Sequence, residues 1–137
     1  SSGRVVRNIE VFRQEQPSKK QPKNSHATPT PIVDGERIYV HFGTQGTAAL
    51  TNDGEIVWKN QDLRFAPGHG QGGSPVLAGG LLVFHCDGTD RQSIAALDAA
   101  TGKLRWQTPR RDGAFAIPAH SPETPRCDDD PFVEDSI

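Results

Sequence analysis

Two histidines stand in matching surroundings. His41 closes the stretch Pro31–His41 and His85 closes Pro75–His85, 44 residues further on; each stretch runs from proline through a glycine turn into apolar residues. Asp87 and Asp90 follow His85, and His26 and His69 lie just ahead of the two stretches. Imidazole nitrogens and carboxylate oxygens are the donors of a zinc or copper centre. Such a centre needs ligands that converge, and spacing does not make them converge. Neither a Cys-x-x-Cys nor a His-Glu-x-x-His pattern is present, so no metal is assigned. The competing reading is structural: His41 and His85 are repeat positions that hydrogen-bond neighbouring layers, and His69 is a loop residue.

Other chemical candidates are weaker. Gly68–Gly73 is glycine-rich but lacks the Lys-Ser/Thr of a phosphate loop and opens no helix. Ser74 has no Gly-x-Ser-x-Gly context. Both read as turn chemistry, and no catalytic residue is assigned. Cys86 and Cys127 permit one disulfide but do not require it.

The elements that must position these residues come from a repeat. Ala48–Trp58 matches Ala95–Trp106, so the chain says nearly the same thing twice. A period of roughly 40–50 residues made of short strands marks a β-propeller blade. The reading is all-β: a partial propeller of about two four-stranded antiparallel blades with irregular termini. Residues 1–23 form a polar segment, with Ile9–Phe12 a candidate outer strand of a preceding blade. The first blade spans 24–59, a loop spans 60–72, the second blade spans 73–109 and an acidic tail spans 110–137. Expected strands are Ala27–Val33, Arg37–Phe42, Thr47–Leu50 and Glu55–Lys59, then Ser74–Leu77, Leu81–His85, Ser93–Asp98 and Lys103–Thr108. Apolar residues run on without alternation (Ile38–Val40, Leu81–Phe84), which implies cover on both faces. Trp58 and Trp106 hold equivalent places and should span the gap to a neighbouring blade. The alanine pairs Ala48–Ala49 and Ala95–Ala96 sit where sheets approach closely. With strands alternating in direction, His26, His41, His69, His85, Asp87 and Asp90 gather toward one rim, the usual place for a binding site on a rigid scaffold.

Composition limits the partners. The chain has 137 residues, a net charge of −2, 34% hydrophobic residues and no methionine. It is expected to be an internal piece of a longer protein. Near-neutral charge gives no bulk attraction to nucleic acid or anionic lipid. No apolar run approaches ~18 residues, so no membrane span is expected, and no targeting signal is visible. Basic residues dominate 1–23 and acidic residues dominate 123–137, which reads as two solvated tails. Ala114–Ile117 could open a third blade, and His120–Ile137 is expected to be disordered.

Ala96–Trp106 resembles the Ala-x-Asp-x-x-Thr-Gly-x-x-x-Trp signature of the quinoprotein, or PQQ-like, propeller repeat. In it Asp98 and Thr101 would hydrogen-bond the turn backbone and Gly102 would take a positive φ. The first repeat is a shorter copy with Thr51 in place of the aspartate. The resemblance covers about Asn24–Pro109 and implies a seven- or eight-bladed parent exported to the periplasm or cell surface. Two blade repeats with intact turns and no catalytic set read as a non-catalytic scaffold or binding platform whose partners are the remaining blades. The alternatives are part of a PQQ-dependent dehydrogenase, or a protein-binding propeller like the outer-membrane assembly factors. PQQ with calcium would belong to a full-length parent; no such set maps onto this segment. Asp98 is a turn residue in this reading and not a catalytic base. End blades alone would expose apolar faces, so the isolated chain is expected to associate or to be marginally stable.

Overall fold

The computed structural model describes residues 2–17, 20, 22–66, 72–89 and 91–110. Eight strands form two sheets: β1 (Ile32–Asp34), β2 (Arg37–His41), β3 (Thr47–Thr51) and β4 (Ile56–Asn60), then β5 (Val76–Ala78), β6 (Leu81–Asp87), β7 (Gln92–Asp98) and β8 (Leu104–Pro109). Each sheet is an antiparallel meander in chain order. The architecture is thus the two-bladed partial propeller expected of the repeat. First strands are shorter than anticipated: β1 and β5 cover three residues each, because Pro31 and Pro75 lack the N–H to extend the ladder. β6 and β7 run longer, pairing as far as Asp87 with Gln92.

The two repeats agree in fine detail. Register slips between Ala49 and Leu50 in one blade and between Ala96 and Leu97 in the other, the equivalent positions. Thr51 N–H donates to Glu55 O and Gly54 N–H to Thr51 O; likewise Asp98 N–H donates to Lys103 O and Gly102 N–H to Asp98 O. The extra residue of the second repeat is absorbed inside that turn.

The core lies between the blades. Tyr39, Ala49 and Trp58 of the first pack with Leu82, Phe84, Ala95, Leu97 and Ala99 of the second, and Phe65 from the connecting loop joins them. All four paired alanines are completely buried, consistent with close sheet approach. Trp58 is the lock. Its ring lies on Gly102, where an added Cβ would stand 2.3 Å from the indole, and its Nε1 donates to Ala99 O at 2.8 Å. Gly102 has φ +77°, so the turn needs glycine both for conformation and for the indole's approach. Asn60 adds a bond to Gly102 O at 2.7 Å, and Thr30 N–H donates to Ser74 Oγ at 2.9 Å.

Ile9–Phe12 is not a strand. Its backbone pairs with no neighbouring strand among the described residues. The segment nevertheless lies across the first blade. Ile9 rests on Gly54, Phe12 packs edge-on to Phe42 at 6.0 Å, Lys59 Nζ donates to Val11 O, and Arg7 meets Asp53 at 3.4 Å. The third-blade opening at Ala114–Ile117, the tail His120–Ile137, Cys127, His69 and Asp90 fall outside the described residues. Among the described residues no helix is long and apolar enough to cross a membrane.

Candidate functional site

The hairpin β2–β3 places His41. It pairs with Thr47 across a short 3-10 turn, Gly43–Gln45. Its Nδ1 bonds Thr47 Oγ1 at 2.8 Å, and its ring lies 4.2 Å from that of Phe84 in the second blade. Only 3% of the residue is exposed. Burial, helped by charge on nearby His85, lowers its pKa to about 4. His41 is therefore neutral at pH 7, and its Nε2 has no partner among the described residues.

His85 occupies the equivalent place in the second blade but faces outward. Its Nδ1 is 3.3 Å from Asp87 Oδ2, and its ring fills the space over Gly73, where a Cβ would come within 2.3 Å. Asp87 Oδ2 also accepts from Arg110 Nη1 at 2.5 Å, while Asp87 Oδ1 is buried without a partner among the described residues. His26 sits apart, its Nδ1 bonded to Gln45 Nε2 at 2.9 Å.

So the fold brings His85 near both His41 and Asp87, while His26 is held by Gln45 of the Gly43–Gln45 turn. No three of the described His, Cys, Asp or Glu residues are arranged to hold a metal ion. A quinone with calcium fits poorly too. Asp87, the carboxylate among the described rim candidates, already pairs with Arg110, whose positive charge competes with a cation. Sequence reading missed Thr47, Phe84, Gly73 and Arg110 as partners. Thr47 had a local signal, since a tight hairpin sets it opposite His41; the other three are contacts of tertiary packing.

Asp98 does turn chemistry. Its Oδ1 accepts from Ala100 N–H at 2.8 Å and Thr101 N–H at 3.2 Å, and its Oδ2 meets Arg105. The backbone bond from Ala100 is the first cause holding its carboxyl below the ordinary value, with Thr101 and Arg105 adding to it. Cys86, paired with Ser93 beside Asp87, is buried, and burial pushes its thiol up to about 11, reinforced by the charge of Asp87.

Comparison with known proteins now bears on the site. Residues 8–123 match the family described as outer membrane protein assembly factor BamB, a PQQ-like repeat family. No curated protein matches the chain. Among solved structures, a europium-containing methanol dehydrogenase matches with a TM-score of 0.53 at 20% identity, over 64% of this chain and 18% of that one. The quinohemoprotein alcohol dehydrogenase of Comamonas testosteroni gives a TM-score of 0.45 at 19% identity, over 73% of this chain and 18% of that one. At such identity the first likeness shows the fold alone. The chain spans about a fifth of the length of these structures.

Proposed function

The chain belongs to the PQQ-like propeller repeat family, and on that premise we propose that it is a non-catalytic stretch of propeller, a scaffold and binding platform within a larger exported protein. The observation that carries this is where the polar groups go. Trp58, Asn60 and Thr30 of the first blade each bond the second blade, Thr44 joins the first blade to the connecting loop through Phe65 N–H, and Asp98 caps a turn. His41, the most buried of the described rim candidates, is neutral, tied to Thr47 and packed against Phe84 of the next blade. Such groups are fixed by structure, and a reacting centre needs groups free to face a substrate. The remaining blades of the parent are its first partners. The family's description as an assembly factor supports a protein as the outside partner and a periplasmic or outer-membrane location.

The test is turnover. The full-length parent is mixed with PQQ and calcium and assayed for alcohol or sugar oxidation with a dye acceptor. No dye reduction is expected; reduction dependent on both additions would replace this reading with the dehydrogenase one. The rim histidines are read as interblade packing, so zinc added to the protein should leave the His41 and His85 resonances in place. A saturable shift of both would make the rim a metal site instead.

A further inference from the structure

An aspartate followed by glycine can react with its own backbone. The glycine nitrogen attacks the side-chain carboxyl carbon, and glycine has no side chain to bar the approach. Three such pairs lie among the described residues: Asp34–Gly35, Asp53–Gly54 and Asp87–Gly88. The fold treats them differently. The attacking nitrogen must give up its proton, so a hydrogen bond from that N–H holds it back. Gly54 N–H donates to Thr51 O at 2.9 Å, and Gly88 N–H donates to Arg91 O at 2.8 Å. The two carboxylates are engaged as well, Asp53 by Arg7 and Asp87 by Arg110. Asp34–Gly35 is otherwise. Gly35 is the first of the two residues joining β1 to β2 and has φ +58°, the place of glycine in a type II′ hairpin turn. Among the described residues neither the Gly35 N–H nor the Asp34 carboxylate has a partner, and both residues are exposed. Nothing stands within 4 Å of where a Cβ on Gly35 would be. Gly35 O accepts from Asn52 Nδ2 at 3.1 Å, which holds the turn without engaging the nitrogen. The second blade has Ala78 at the place of Asp34, so its turn cannot react in this way.

We propose that Asp34 is a site of spontaneous covalent modification, the first of these three aspartates to become isoaspartate. The Gly35 nitrogen bonds to Asp34 Cγ and loses its proton, the carboxyl oxygen leaves as water, and a five-membered succinimide ring results. Water then adds at the Asp34 main-chain carbonyl carbon and breaks its bond to the nitrogen. The chain now runs on through Cβ and Cγ, and the old main-chain carbonyl has become a free carboxylate. One water leaves and one returns, so the mass is unchanged and no oxidant is needed. This goes beyond the platform reading and does not rest on it. The consequence is structural. The backbone gains one carbon beside a two-residue turn, at the end of a ladder of three pairs: Ile32 with Tyr39, Val33 with Ile38 and Asp34 with Arg37. Ile32 packs against the core, and Thr30 just before it bonds Ser74 of the second blade. Isoaspartate at this turn therefore loosens the first strand and, through it, the seam.

The test is to hold the whole folded chain for weeks at neutral pH and then cut it with trypsin. The three pairs fall in separate fragments, Asn24–Arg37, Ile38–Lys59 and Phe65–Arg91. A form of Asn24–Arg37 with unchanged mass and shifted retention should build up, and an isoaspartate-directed methyltransferase should label it with methyl groups from S-adenosylmethionine. It should build up about 5-fold faster than any such form of the other two fragments, the factor for first opening one backbone hydrogen bond. In urea the three should react at similar rates, because the bonds on Gly54 and Gly88 are gone. Asp34→Glu, which would have to close a larger ring, should leave its fragment unlabelled. Absence of the new form of Asn24–Arg37, equally fast labelling of another of the three fragments from the folded chain, or the same selectivity in urea overturns the proposal.

Discussion

His41 should make the fold acid-sensitive in a defined window. Its pKa falls from 6.5 to about 4 on folding, chiefly because the ring is buried, with the charge of His85 a second cause. Below pH 6.5 the unfolded chain takes up a proton at this ring, and the folded chain does not until about pH 4. Stability therefore falls as pH drops across that interval, and at pH 7 the contribution is fully present. With 1.36 kcal/mol per pKa unit, the whole loss is about 3 kcal/mol. Against the roughly 5–15 kcal/mol that holds a domain, that is a large share. Urea unfolding followed by tryptophan fluorescence at intervals between pH 7.5 and 4 measures it. His41→Gln keeps a side chain that can bond Thr47 and abolishes the titration, so the variant should lack this part of the slope whatever its stability at pH 7. Asp98 does not enter the window, because its depressed carboxyl acts only below the ordinary value of 3.8. Equal slopes for wild type and variant, or a His41 resonance titrating near 6.5 in the folded chain, would refute the reasoning.

Three other outcomes follow from the seam and the buried thiol. Trp58→Ala should cost about 3–5 kcal/mol in urea unfolding, the range for emptying a large buried aromatic, and Trp58→Phe about 1 kcal/mol, since it mainly leaves Ala99 O without its donor. Gly102→Ala should separate the blades more than any surface change, because it combines a clash with the Trp58 ring and a strained positive φ; loss of the blue-shifted Trp58 emission reports it. Cys86, with its thiol pushed to about 11, should react with a disulfide reagent at pH 8 far more slowly than a free cysteine, and at the ordinary rate once urea unfolds the chain.

Much of the fold was legible because the repeat is written in residue types with local consequences. Asp98, Thr101 and Gly102 announce a turn from their own chemistry, and the turn they form is the one found. The unbroken apolar run Leu81–Phe84 implied cover on both faces; Leu82 and Phe84 on one face are buried between the blades, while Leu81 and Val83 on the other are half-buried. Trp58 could be placed as a bridging residue, but not its acceptor, because Ala99 O is a backbone atom whose accessibility depends on how the turn folds. The rim was harder to read. Equivalent positions gave His41 and His85 the same expectation, yet one is buried and the other exposed. The difference is made by neighbours: Phe84 of the following blade covers His41, and Gly73 with Asp87 meets His85. Periodicity within a chain says nothing about such asymmetric cover. Ile9–Phe12 was read as a candidate outer strand of a preceding blade; it makes no ladder bonds among the described residues and packs on the first blade, a contact that sequence alone does not place.

The way the blades recognise each other explains why the repeats have drifted so far apart. The bonds that cross from Trp58 and Asn60 end on backbone carbonyls of one turn, and the bond from Thr30 ends on a small hydroxyl. Carbonyls are present whatever the side chains, so the hole survives any sequence that keeps the turn's shape and its glycine. The first repeat bears this out: Thr51 replaces the aspartate and a residue is lost, yet Gly54 keeps the positive φ and both turn bonds. The constraint on each blade is thus a few positions near the outer strands, Trp, Gly and the paired alanines. At the rim the described contact between the blades is that of His41 with Phe84. Blades held in this way leave most loop positions free to vary, while the seam beneath stays the same.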